Sequence, residues 1–241
     1  MPYYLRPAFE LDDSRLLRPV IDFGKGYDQG AEPFMDLAER LGFSREEGLR
    51  AFRTGMSRQM AFWERLHTIG RQVLERSRRQ GQVVIGLFGR SYNAFPAEAN
   101  MGIPRKLSTR GVTVLPFDFF PIEEEEISPN MYWYYGQLNL KAAKQVKQHP
   151  NVYMTYISNF GCAPDSFILH YMRWTMGAKP FLVLELDSHT ADAGVDTRIE
   201  AFLDIIEGYR SKLTDKDDEF PSLRYQTELA GHHRFIPAKR K

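Results

Sequence analysis

Cysteine is almost absent from this sequence: Cys162 is the only one in 241 residues. A single thiol excludes an intramolecular disulfide. It also excludes a complete thiolate shell for zinc or an iron–sulfur cluster built from this chain alone. Charge of one sign is missing too, because 32 Lys and Arg face 31 Asp and Glu, a formal net charge of +1. No global field therefore draws the chain to a partner, and neither nucleic acid nor an anionic membrane is expected as one. No apolar run reaches membrane-spanning length and no charged-then-apolar leader opens the sequence, so the expected location is a reducing cytoplasm. Neither a P-loop nor a Gly-x-Gly-x-x-Gly motif is present. Phe88-Gly89-Arg90-Ser91 offers one glycine, too few for a dinucleotide cradle.

What is present is an alternation of strand-like and helix-like segments behind a helical lead. Residues 1–80 read as an irregular start followed by an N-terminal helical appendage. One helix lies near Pro33 to Leu41, and a long one opens on Ser44-Arg45-Glu46-Glu47, a capping-box pattern. In the long helix Leu49, Phe52, Met56, Met60, Leu66 and Val73 mark an apolar stripe, with Gly48, Gly55 and Gly70 as local weak points. A helix of this length needs a partner surface, either the following domain or another subunit of a homo-oligomer. Residues 81–212 then repeat strand and helix four times, with strands near 83–88, 112–117, 152–157 and 181–186. The expected helices run over 98–109, where Pro104 would sit near the middle, 130–148, from about Pro164, and 193–212. Right-handed crossovers then give an α/β fold: a doubly wound, Rossmann-like sheet of four parallel strands with helices on both faces. Residues 213–241 are charged, lack apolar periodicity and read as a tail.

In such sheets ligands bind outside the carboxyl ends of the strands. The loops there carry Arg90, Ser91, Tyr92 and Asn93, then Asp118, then Asn159 and Cys162, then Asp187 and His189. Cys162 falls between a strand and a helix start, where unpaired N–H groups and the helix dipole favour a thiolate or a bound anion. The bland readings stand beside this one: Arg90 as a salt-bridge partner, Tyr92-Asn93 as a turn, Asp187 as a helix cap, Cys162 as a small buried hydrophobe. His189 with Asp187 and Asp192 matches no metal-ligand spacing, His232-His233 lies in the tail, and Glu123 to Glu126 reads as a solvated loop. A thiol hydrolase using Cys162 with His189 would need the two side chains within hydrogen-bond reach.

The segments GRSYNAFPAEANMGIP (89–104), NMYWYYGQ (130–137), YISNFGCAPDSF (156–167) and ELDSHTADAGVDTRIEAFLDII (185–206) resemble the dehydratase-like C-terminal part of large acyl-CoA activase fusion proteins. These belong with the 2-hydroxyacyl-CoA dehydratases and double-cubane-cluster reductases. The resemblance covers roughly residues 6–209. It implies repeated α/β domains that carry iron–sulfur (4Fe–4S) clusters on cysteines, and an ATP-dependent activase that delivers a low-potential electron for reductase or dehydratase chemistry. Cys162 matches the last cluster cysteine, whereas the family's other cluster cysteines lie upstream and have no counterpart here. The resemblance therefore implies a cysteine-containing upstream subunit or domain that supplies the remaining ligands. The alternative is a non-catalytic scaffold or interaction domain that has lost its cluster.

Overall fold

The computed structural model describes residues 2–12, 15–24, 26–122, 125 and 130–214, which divide into two compact units, residues 1–65 and the chain from Leu66 onward. The tail expected after residue 213, with His232 and His233, lies beyond Thr214 and so outside the described residues, as does most of the Glu123 to Glu126 run.

The first unit begins with a short helix, α1 (Pro2–Ala8), where an irregular start was expected. A 3-10 turn, Tyr27–Gly30, leads into α2 (Ala31–Arg40), and α3 (Arg45–Gln80) starts in this unit and continues into the second. The capping box forms as its residues imply. The Ser44 N–H donates to Glu47 Oε2 at 2.9 Å and the Glu47 N–H to Ser44 Oγ at 3.2 Å, which holds the Glu47 carboxyl below its ordinary pKa. Gly48 is less a weak point than a contact. A methyl group there would stand 2.7 Å from Ala38 Cβ and 3.0 Å from Met35 Cα, so glycine lets α2 and α3 approach closely. Arg45 reaches across to Glu32, Asp36 and Glu39 at 2.5–3.0 Å, and Phe34 packs on Phe52.

In the second unit the strands are β1 (Val84–Gly89), β2 (Thr113–Pro116), β3 (Val152–Asn159) and β4 (Phe181–Leu186). All pair in parallel, in the order β2-β1-β3-β4. The helices are α4 (Ser91–Ala94), α5 (Ile103–Ser108), α6 (Tyr134–Gln148), α7 (Ala163–Met176) and α8 (Asp192–Thr214). One helix was expected over 98–109. Instead residues 98–102 turn and the helix begins only at Ile103, so that Pro104 falls in the first turn of α5, where its missing N–H leaves no bond unmade. The sheet separates two cores. On one face Phe88, Met154 and Tyr156 pack with Leu140 and Val146 of α6 and with Ile168 and Met172 of α7. On the other, Ile85, Tyr153 and Ile157 pack with Leu107 of α5 and with Ile199 and Phe202 of α8. This is the doubly wound α/β arrangement that the alternating pattern implied.

Strand order decides where a site can form. From β1 the chain crosses one face to the neighbouring edge strand β2, and from β3 it crosses the other face to β4. The loops leaving β1 and β3 therefore turn toward opposite faces, which makes this the topological switch point where such sheets bind ligands.

Candidate functional site

The residues at that switch point are Arg90, directly after β1, and Cys162, directly before α7. Gly161 adopts a φ of 68°, a left-handed turn that glycine makes without strain, and the Cys162 N–H donates to the Asn159 carbonyl at 3.1 Å. Cys162 then becomes the N-cap of α7, and its sulfur accepts the Asp165 N–H at 3.5 Å. Arg90 Nη2 donates to the same sulfur. A cationic donor and a helix-end N–H thus converge on one half-buried sulfur.

Asp165 completes the group from beneath. It is 1 % exposed and accepts Ser158 Oγ at 2.6 Å and Tyr156 Oη at 3.2 Å, both from β3. Arg90 Nε lies 3.2 Å from Asp165 Oδ1, a charge contact rather than an aligned hydrogen bond, while Nη2 reaches Oδ2 at 3.4 Å. Burial lowers the Arg90 pKa, but Asp165, Cys162 and the Tyr92 ring together outweigh it and raise the pKa above its ordinary value. Burial, reinforced by the Asp165 carboxylate, pushes the Tyr156 phenol upward and keeps it protonated. Tyr92 lies against the Arg90 guanidinium, with 5.1 Å from Cζ to the ring centroid. From α6, Asn139 Oδ1 accepts the Gly89 N–H at 3.2 Å, tying that helix to the strand end that carries Arg90.

The other sequence-predicted residues are distributed around this centre. Ser91 Oγ meets Tyr135 Oη at 3.5 Å, and Asn93 is buried with Nδ2 unbonded. Asn159 contributes its carbonyl, and the next N–H, that of Phe160, bonds the Leu186 carbonyl at 3.0 Å. Asp187 and His189 form a self-contained turn: Asp187 Oδ1 accepts the His189 N–H and the Thr190 hydroxyl, each at 2.9 Å, which holds the Asp187 carboxyl below its ordinary pKa. No hydrogen bond joins His189 to Cys162 among the described residues, so the thiol–imidazole pair that a hydrolase needs is not formed. Asp118 sits in the 3-10 turn Phe117–Phe119, where burial pushes its carboxyl up against a smaller opposing effect from His67 of α3.

Sequence reading missed Asp165, Tyr156, Ser158 and Asn139. Two signals were available: Cys162 and Asp165 stand three apart, the spacing of an N-cap and the third residue of its helix, and Tyr156 and Ser158 alternate onto one face of β3.

The geometry predicts a reactive thiol. Iodoacetamide should alkylate Cys162 in the native protein at neutral pH, and Arg90→Gln should slow the reaction on the order of tenfold, as expected from losing one charge-assisted hydrogen bond to sulfur. A rate unchanged in Arg90→Gln, followed by mass spectrometry, would separate the guanidinium from thiol reactivity.

Residues 1–120 match the family model described as the CoA enzyme activase uncharacterised domain, so the chain carries an activase-related domain. The match takes in Arg90 and Asp118 and stops short of Cys162. No curated protein and no solved structure matches the chain.

Proposed function

We propose that this chain is a component of an activase-dependent CoA-enzyme system of the 2-hydroxyacyl-CoA dehydratase and reductase kind. In it Cys162 gives one thiolate to an iron–sulfur cluster whose other ligands come from a cysteine-containing partner subunit or domain. The observation that carries this reading is the sulfur itself, which lies at the switch point of the sheet and is half-buried, with the Arg90 guanidinium and a helix N–H directed at it. The activase-related domain in the first half of the chain supports the link to an ATP-dependent activase.

Whether the residues present can hold such a group alone is a matter of donor count. A cluster takes four thiolates. Here there is one, and among the described residues no group of three or more His, Cys, Asp or Glu could hold a metal ion. The chain by itself does not fit a cluster, so any cluster is shared. Among the described residues no helix is long and apolar enough to cross a membrane.

The test is anaerobic expression of the chain alone and together with a cysteine-rich partner, with iron and acid-labile sulfide measured after purification. The chain alone should carry neither. The complex should carry both and lose them in Cys162→Ser, with both proteins still associated. A complex that keeps its full iron in Cys162→Ser would instead favour a scaffold domain, in which the Arg90–Cys162–Asp165 group only fastens β1 to α7.

A further inference from the structure

Arg90 follows a glycine, which by itself would leave it free to swing. Gly89, the last residue of β1, adopts a φ of 135°, and a methyl group there would run into the Ile157 carbonyl oxygen of β3. Only glycine allows that close approach, and its broad backbone freedom would otherwise pass to the next residue. Pairing does not restrain it on the β2 side. The Thr113 N–H bonds the Val83 carbonyl at 3.2 Å, so Val83, Ile85, Leu87 and Gly89 turn their backbone polar groups toward β2. The register nevertheless ends at Leu87 with Pro116, and the chain then enters the 3-10 turn Phe117–Phe119.

Helix α6 supplies what β2 does not. Asn139 Oδ1 accepts the Gly89 N–H at 3.2 Å, and its Nδ2 donates to the Tyr135 carbonyl at 2.8 Å, one turn earlier in the helix, so the amide is fixed at both ends. On the far side of Arg90, Ser91 Oγ meets Tyr135 Oη at 3.5 Å. Both chain neighbours of Arg90 are thus held by α6 residues four apart, which share one helix face. The support is rigid: Asn139 is buried, and Leu140, Ala143 and Val146 of the same helix lie in the core on that face of the sheet. The Arg90 carbonyl meanwhile accepts the Asn93 and Ala94 N–H groups at 2.8 and 2.9 Å, while its guanidinium reaches Cys162 and Asp165.

We propose that Asn139, assisted by Tyr135, is a positioning residue: through Gly89 and Ser91 it holds the Arg90 guanidinium at the Cys162 sulfur, so that α6 governs the reactivity of a thiol at the start of α7. This deepens the site on which the proposed function rests, but it depends on the contact of Arg90 with Cys162 and not on any cluster. The links run in one direction, from Asn139 to Gly89 to Arg90 to Cys162, so loss of the first matters only while the guanidinium is present. A purely structural role would act whether or not Arg90 is there.

Two measurements on the full chain test this: exchange of the Arg90 Nε–H by NMR, and iodoacetamide labelling of Cys162. The proteins compared are wild type, Asn139→Ala, Tyr135→Phe, Arg90→Gln and the double variant Asn139→Ala with Arg90→Gln. Asn139→Ala should speed the Arg90 Nε–H exchange and slow Cys162 labelling by about fivefold each, the worth of one neutral hydrogen bond. Tyr135→Phe should do the same by about twofold, because its contact is long. In the Arg90→Gln background, Asn139→Ala should change labelling by less than about twofold. Unchanged Nε–H exchange in Asn139→Ala would overturn the proposal, and so would equal slowing of labelling in both backgrounds. Should Asn139→Ala not fold, Tyr135→Phe decides: exchange at the wild-type rate overturns it. Iron content plays no part in these readouts, so a cluster that proves absent would sink the proposed function and leave the positioning role standing.

Discussion

Asp165→Ala should lower the unfolding free energy by about 3–5 kcal/mol, because it removes one partner of a buried ion pair and leaves the rest of the group uncompensated. Three side chains lose an acceptor at once: Tyr156, Ser158, whose hydroxyl keeps only the Asn159 carbonyl at 3.3 Å, and Arg90, which keeps only Cys162. Tyr156 and Ser158 are 1 % and 2 % exposed, so water cannot replace the carboxylate. An unsatisfied buried hydroxyl costs about 1–3 kcal/mol, but these losses share one site and will not add in full. Asp165→Asn keeps an acceptor of the same shape while losing the charge, and should cost less than half as much. Urea unfolding of the three proteins checks this. An alanine variant within about 1 kcal/mol of wild type would mean that the carboxylate is not the centre of the group.

Gly70→Ala should destabilise even though alanine is the better helix former by about 1 kcal/mol. A methyl group at Gly70 would stand 1.7 Å from the Phe119 carbonyl oxygen and 2.7 Å from its carbon, and both are backbone atoms that cannot rotate away. Inserting a methyl into such a contact costs about 1–3 kcal/mol and occasionally more. The displaced segment also carries Asp118 and the buried Phe117 and Phe120, which places the expected effect at the upper end, with net destabilisation. Gly55 in the same helix has nothing within 4 Å of a built methyl, so Gly55→Ala should stabilise by up to about 1 kcal/mol. Opposite signs in the two variants, read from unfolding midpoints, test whether α3 is held by contact or by propensity. Equal effects would remove the contact argument.

Much of the fold was legible in the sequence because its signals are local. The runs Val83 to Phe88 and Val152 to Ile157 are long enough and sufficiently β-branched or aromatic to be buried strands in any context, and Ser44 with Glu47 closes a capping box within one turn. Placement of Cys162 at a helix start follows from the same kind of local evidence, with Pro164 in the first turn of α7. Other features depend on neighbours far away in the chain. Pro104 could be read as a flaw in one helix or as the opening of another, and only the packing of Ile103 and Leu107 under the sheet decides between them.

By itself the sequence determined the four strands, the longer helices, their parallel alternation and the isolation of a single thiol, since these follow from spacing and residue type, whereas α1, α4 and the start of α5 did not follow from it. Which loops meet was decided by the order β2-β1-β3-β4, because crossovers to opposite faces bring Arg90 to Cys162 across 72 positions of chain. The same order leaves Asp118 facing His67, while Asp187 and His189 bond within their own turn. Burial is likewise a tertiary property. Asp165 resembles an ordinary surface residue when read along the chain. It becomes the buried centre of a cluster only because β3 and Arg90 close over it, excluding the water that would otherwise solvate its charge.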